Sequence, residues 1–181
     1  MDAITTKTPL PPASVATRKP SRAPAAPRAT PPALLLACGN SLREDDGVGL
    51  RIAEAVEQLV PASRLRIVTA QQFTPEMAAD LAATDLAIFV DASVGDDPGA
   101  IRVWPVAAIA DSPQTHRLDP PALLAMAGAL CGHTPAHAFA LTVGAERLGY
   151  GTEIAGPVRQ AIPRACRLVG NLLSAFSRTQ A

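Results

Sequence analysis

An α/β sandwich, in which helices cover both faces of a β-sheet, is the fold that the sequence predicts. Two short apolar runs, residues 34–38 and 86–90, have the length and composition of strands that are buried on both faces. After Gly47 the apolar residues instead follow the period of one helix face, at Val48, Ile52, Val56 and Leu59. Strand-like and helix-like segments then alternate along the chain, which is the order expected of an α/β fold.

Four strands and two helices are predicted in the first half of the folded part. The strands are residues 33–38, 65–69, 86–90 and 100–104, and the helices are residues 47–60 and 75–81. Pro61 closes the first helix, and Thr74 is a candidate N-cap for the second. The tight turn at Asp97, Pro98 and Gly99 predicts that the fourth strand, which ends at Pro105, lies antiparallel to its neighbour.

The second half begins with a loop, residues 107–119, that contains His116. Asp119 and Pro120 are residue types that begin helices, so we predict a helix over residues 120–130. A fifth strand at 136–143 and a loop at 144–156 lead to a final helix at 157–176. Pro163 lies inside that last helical pattern, where it should kink the helix or mark its true start.

The chain divides into an N-terminal arm, residues 1–32, and a single α/β domain, residues 33–181. The arm is rich in Pro, Ala, Thr, Ser and Arg and has few large apolar residues. Such a segment cannot bury enough surface to offset its ordering entropy, so we predict that it is disordered. Organelle transit peptides have a similar composition, but the many prolines argue against the amphipathic helix that they form.

Composition argues against several classes of partner and location. The formal net charge is zero, which does not favour nucleic acid or a membrane surface. No apolar run reaches the roughly eighteen residues of a membrane span, and no signal peptide opens the chain. The widely spaced Cys38, Cys131 and Cys166 fit neither a disulfide framework nor a zinc site. They suit a reducing compartment, so we expect a cytoplasmic protein.

Three consecutive acids, Glu44, Asp45 and Asp46, lie between the end of the first strand and the start of the first helix. Ligands bind at this edge in open α/β sheets. Asp45 or Asp46 could instead simply cap the helix. Three acids exceed what a cap needs, however, and Gly47 and Gly49 each cost a helix about 1 kcal/mol relative to alanine. We therefore expect another group to approach the backbone there.

Asp91 and His116 complete a candidate metal site. Asp91 follows the third strand and could instead be a turn-forming residue, and His116 could be an ordinary loop histidine. However, Asp46, Asp91 and His116 each follow, or can follow, the carboxyl end of a strand, so they could meet at one edge of the sheet. Two carboxylates and one imidazole suit a divalent first-row metal.

Nucleophile motifs are absent from the sequence. No Gly-x-Ser-x-Gly, phosphate-binding or dinucleotide-binding motif occurs. Cys38 ends the first strand, but no histidine lies near it in the sequence, and small buried cysteines are common.

Residues 39–49, with the sequence GNSLREDDGVG, resemble the opening signature of the hydrogenase maturation endopeptidases. These proteases trim the C-terminus of the nickel-iron hydrogenase large subunit after nickel is loaded. Shorter matches keep the family order, at residues 89–92, 98–99, 115–118, 121–124, 141–146 and 154–163. The resemblance covers roughly residues 33 to 175.

The resemblance implies a three-layer α/β sandwich with a mostly parallel, twisted five-stranded sheet flanked by helices. It also implies a nickel-sensing trio, which falls on Asp46, Asp91 and His116. We further expect substrate contacts from residues of the opening signature: Gly39, Asn40, Asp45 and Gly47. Two positions depart from the family pattern. Some members have glutamate at the position of Asp46, and the usual proline after Gly-x-Glu is Arg147 here.

The function that the resemblance implies is an aspartic-type endopeptidase acting on a hydrogenase large-subunit precursor. In this hypothesis nickel is carried by the precursor rather than permanently bound, and the trio recognises it. The sequence identifies no catalytic nucleophile, so a water activated by the metal or a carboxylate is our hypothesis. The alternative is a non-proteolytic checkpoint or scaffold protein that binds the nickel-bearing precursor without cutting it. A small-molecule α/β hydrolase is disfavoured because the chain lacks a nucleophile elbow.

Overall fold

A five-stranded sheet lies at the centre of the computed structural model, which describes residues 32–109 and 118–179. Its strands are β1 (Ala33–Cys38), β2 (Leu65–Ala70), β3 (Leu86–Ser93), β4 (Ile101–Pro105) and β5 (His137–Gly144). The strand order is β2-β1-β3-β5-β4, and only the β4–β5 pair is antiparallel. The predicted mostly parallel sheet and the antiparallel fourth strand are therefore confirmed.

Four α-helices cover the two faces of this sheet: α1 (Val48–Glu57), α2 (Met77–Ala82), α3 (Pro120–Cys131) and α4 (Gly156–Thr179). Helices α1 and α4 pack on one face, and α2 and α3 pack on the other. Strand β1 is buried throughout, with Leu35 facing α1 and α4 and Leu36 facing α2 and α3. Each such leucine contributes about 1.5–3 kcal/mol by burial. The continuous apolar run predicted this two-sided burial correctly, and the sandwich is confirmed.

One predicted helix start, one helix end and one strand end are wrong. Helix α1 begins at Val48, within one residue of its predicted start and after a short 3-10 helix at Glu44–Gly47, but it ends at Glu57, three residues before its predicted end. Helix α2 begins at Met77 with Glu76 as its N-cap, because Thr74 belongs to the turn that precedes it. Strand β3 continues past Val90 to Ser93, since β5 goes on pairing with these residues.

Helices α3 and α4 agree better with the predictions made from the sequence. Asp119 is the N-cap of α3, and its side chain accepts a hydrogen bond from the N–H of Ala122 at 2.8 Å, as predicted. Pro163 lies inside the continuous helix α4, so the alternative that it marks the start of the helix is wrong. Val158 and Val169, on either side of it, are fully buried, and this packing holds the helix together where Pro163 lacks an N–H.

From β1 the chain passes to β2 on one side, and from β2 it crosses to β3 on the other side of β1, so the switch point of the sheet lies between β1 and β3. In such sheets a crevice forms where the connections diverge, at the carboxyl ends of the strands. This geometry positions the candidate site.

Two expectations concern the chain outside the sheet. Almost all of the predicted arm, residues 1–31, lies outside the described residues, so the arm and its boundary stay predictions. Within the described residues, no helix combines the length and apolar character needed to cross a membrane.

Candidate functional site

A cavity of about 210 Å³ lies at the carboxyl edge of the sheet. Asp46, in the 3-10 helix after β1, and Asp91, near the end of β3, both line it. Cys38, the last residue of β1, lies beside them. The structure therefore brings together two of the three predicted metal-binding residues.

Asp46 is held at this cavity by a loop that folds back on itself. Gly39 has φ +146°, and a Cβ at this position would collide with the backbone carbonyl oxygen of Asp46. The N–H of Gly39 donates to the carbonyl of Ala70 at the end of β2, at 3.0 Å. The N–H of Asn40 donates to the Asp46 carboxylate, at 3.1 Å. Only glycine at position 39 allows the loop to close this tightly.

Asp45, the middle acid, is fully buried and serves a different purpose. Its carboxylate accepts three backbone hydrogen bonds, from Glu146 at 2.9 Å, Arg147 at 2.8 Å and Ala155 at 2.7 Å. Three N–H donors satisfy the charge of a carboxylate that water cannot reach. Since this side chain has no exposed surface, the substrate-binding role predicted for Asp45 can only be indirect, through the loop of residues 145–155.

Glu44 also holds the loop of residues 145–155. Its carboxylate accepts the N–H of Gly149 at 2.8 Å, and its own N–H donates to the carbonyl of Gly151 at 2.9 Å. The guanidinium of Arg147, which is exposed, lies 3.9 Å from the Glu44 carboxylate, and an ion pair this long contributes little. Glu44 and Asp45 thus hold the 145–155 loop, while Asp46 alone of the three acids faces the cavity.

The alternative that Asp45 or Asp46 caps the first helix is wrong. The N-cap of α1 is Gly47, and no side chain makes a capping hydrogen bond there. Gly49, in the first turn of α1, lies against the carbonyl oxygens of Cys38 and Val90. The close approach expected at these glycines is therefore made by the sheet at Gly49 and by the backbone of Asn40 and Ser41 at Gly47. Gly39 and Gly47 are buried and Asn40 is half-buried, and substrate contact by these three stays a prediction.

Asp91 lies inside β3, paired with Thr142 of β5, so the alternative that it is a turn-forming residue is wrong. Its carboxylate accepts the N–H of Ala92 at 2.8 Å, and the residue is half-buried. Side chains alternate along β3, and Phe89 faces α2 and α3. Asp91 consequently projects to that same side, on which Cys38 and the cavity lie.

His116 lies outside the described residues, so its place in the metal site stays a prediction. The next described residues, Leu118 and Asp119, both line the cavity. In the part of the chain from 32 to 109 and from 118 to 179, no group of three His, Cys, Asp or Glu side chains is suited to hold a metal ion. A three-ligand site at this cavity would therefore depend on His116.

Several cavity residues were not identified from the sequence. Asp119 was predicted only as a helix cap, yet it adds a third carboxylate to the wall. Gln71 and Gln72 follow β2 at the same edge as the acids, and that position is the signal that could have found them. Cys38 lines the cavity but is only 3% exposed, which favours packing over nucleophilic attack.

Solved structures of similar fold include hydrogenase maturating endopeptidase HybD from E. coli. It is 25% identical, with a TM-score of 0.66, over 80% of this chain and 93% of that one. An endopeptidase from Escherichia coli, solved in solution, is 26% identical, with a TM-score of 0.61, over 76% of this chain and 88% of the other. The [NiFe] hydrogenase maturation protease HycI from Thermococcus kodakarensis shares the fold at 22% identity. Its TM-score is 0.62, over 80% of this chain and 93% of that one. No family model and no curated protein matches the chain.

Proposed function

Since the chain belongs to the hydrogenase maturation endopeptidase family and is a peptidase, we propose that it processes a nickel-loaded hydrogenase large-subunit precursor. The reaction is hydrolysis of one peptide bond, which removes the C-terminal extension of the precursor. The single observation that supports this most strongly is the presence of Asp46 and Asp91 on one cavity wall at the switch point of the sheet.

Nickel enters this proposal as part of the substrate. The cavity wall carries the carboxylates of Asp46, Asp91 and Asp119, whose combined negative charge favours a divalent cation. His116 would supply the imidazole that nickel prefers over oxygen ligands alone. Leu118 and Asp119, which follow it by two and three positions in the sequence, line the cavity, which is consistent with that role. A metal held by the precursor would then dock against these side chains and set the position of the cut.

A water molecule is the proposed nucleophile. A carboxylate at the cavity, Asp46 or Asp91, would accept a proton from this water as it attacks the peptide carbonyl. The nickel ion would polarise the carbonyl oxygen or lower the pKa of the water. The 3% exposure of Cys38 is consistent with a route that does not pass through a thiolate.

Mass spectrometry of precursor incubated with this protein tests the proposal. Nickel-loaded precursor should lose its C-terminal extension, and nickel-free precursor should stay intact. The Asp91→Ala variant should process at least about 100-fold more slowly while keeping the wild-type fold by circular dichroism. Equal cleavage of nickel-free and nickel-loaded precursor would refute the recognition role of the metal. Stable binding of loaded precursor without any shortening would refute the protease assignment in favour of a checkpoint role.

A further inference from the structure

Two consecutive glutamines, Gln71 and Gln72, lie between two fixed points of the fold. On one side the carbonyl of Ala70, the last residue of β2, accepts the N–H of Gly39 at 3.0 Å. On the other side Phe73 is buried, with its ring edge-to-face against Phe89 at a centroid distance of 5.5 Å. A two-residue segment anchored at both ends has little backbone freedom, so the positions of the two glutamines are set by the fold.

Both glutamines line the cavity that Asp46 and Asp91 share, and both are exposed. Within the described residues, neither side-chain amide makes a hydrogen bond to another protein group. Each amide has two N–H donors and one carbonyl acceptor. The structure thus presents a pair of neutral hydrogen-bonding groups, unused by the fold, at the edge of the candidate site.

Within the described lining of the cavity, the glutamines supply hydrogen-bond donors that the acids do not. Ionised Asp46, Asp91 and Asp119 can only accept hydrogen bonds, which suits a cation or N–H groups. An extended peptide also presents carbonyl oxygens, and these need donors. Among the residues that line the cavity, Gln71 and Gln72 are the ones with side-chain amide donors. Their uncharged amides match the alternating N–H and C=O groups of a peptide main chain, irrespective of its side chains.

We propose that Gln71 and Gln72 are positioning residues that hold the main chain of the substrate peptide beside the cleaved bond. Their amide N–H groups donate to peptide carbonyls, and their carbonyls accept peptide N–H groups. This inference rests on the proposed function, since it assigns the main chain of the same substrate to a part of the same cavity. It predicts that the glutamines affect the binding of substrate and leave the hydrolytic step largely unchanged.

Steady-state processing of the nickel-loaded precursor by Gln71→Ala, Gln72→Ala and the double variant tests the proposal. Each single change should lower kcat/KM about 2- to 10-fold, and the double variant about 10- to 100-fold, mainly through KM. Gln160→Ala is the matched control, because Gln160 is an exposed glutamine of α4 that does not line this cavity. It should process at the wild-type rate.

A second double variant, Gln71→Glu with Gln72→Glu, keeps the size of both side chains but replaces their donors with acceptors. It should raise KM at least as much as the alanine pair. The inference is overturned if either double variant, folded by circular dichroism, retains the wild-type kcat/KM, or if kcat alone falls. Failure of the proposed function would look different, because the wild-type protein itself would then leave the precursor uncut.

Discussion

The carboxylate of Asp45 accepts the backbone N–H of Ala155 at 2.7 Å, which joins the acidic segment after β1 to the residue just before α4. Two further N–H groups, of Glu146 and Arg147, bind the same carboxylate. One side chain therefore connects the loop before α1 to the loop before α4. Asp46 is the next residue, so the position of the cavity acid depends on this buried one.

Removing the Asp45 carboxylate should therefore destabilise the protein strongly. In Asp45→Ala three backbone N–H donors, one of them buried, lose their acceptor, and we expect the free energy of unfolding to fall by about 3 kcal/mol or more. Urea denaturation followed by circular dichroism measures the change. Asp46→Ala is the matched control, since the Asp46 carboxylate accepts one backbone N–H, and it should cost about 1 kcal/mol. Equal losses in the two variants would contradict the structural role of Asp45.

Gly49→Ala should be destabilising even though alanine favours helices. A Cβ at position 49 would collide with the carbonyl oxygen of Cys38, so α1 would have to move away from the sheet. We expect a loss of about 2 kcal/mol or more in the free energy of unfolding. Gly170→Ala, in α4, is the control: a Cβ there meets nothing within 4 Å. That change should stabilise by about 0.5–1 kcal/mol, and wild-type stability of Gly49→Ala would refute the packing argument.

The rate of precursor processing should depend more on the charge of Asp46 than on the length of its side chain. Asp46→Asn keeps an oxygen that can accept the N–H of Asn40 but removes the negative charge from the cavity wall. Processing of nickel-loaded precursor should slow by about 100-fold or more. Asp46→Glu keeps the charge on a side chain one methylene longer and should stay within about tenfold of wild type. Wild-type activity of Asp46→Asn would exclude a role for this carboxylate in metal recognition or proton transfer.

Alkylation should distinguish the three free cysteines. Cys131, in the last turn of α3, is exposed, whereas Cys38 and Cys166 are buried. Burial raises the pKa of the Cys166 thiol above its usual value, so less of the reactive thiolate is present near neutral pH. Iodoacetamide should therefore modify the native protein first at Cys131, as peptide mass mapping would reveal. Early modification of Cys38 or Cys166 would contradict the described packing.

Local sequence patterns predicted those features that depend on neighbouring residues alone. The apolar run of β1 and the Asp119 cap of α3 could be read directly, because burial on both sides and capping follow from residue type and spacing. Thr74 is not the N-cap that the pattern predicts, because a local pattern does not reveal which turn precedes a helix. The pattern also predicts that Asp91 lies just beyond β3, whereas pairing with Thr142 extends the strand through it.

By itself the sequence determined the α/β architecture, the helix faces and the concentration of acids after β1, since these are properties of short segments. Only the tertiary structure decided which of the three acids holds a loop and which lines the cavity. Asp45 is held by N–H groups about a hundred residues further along the chain, and Asp46 reaches a cavity shared with Asp91 and with Gln71. The physical reason is that parallel strands connected through helices bring their carboxyl ends together, and a carboxylate's partners there come from distant loops.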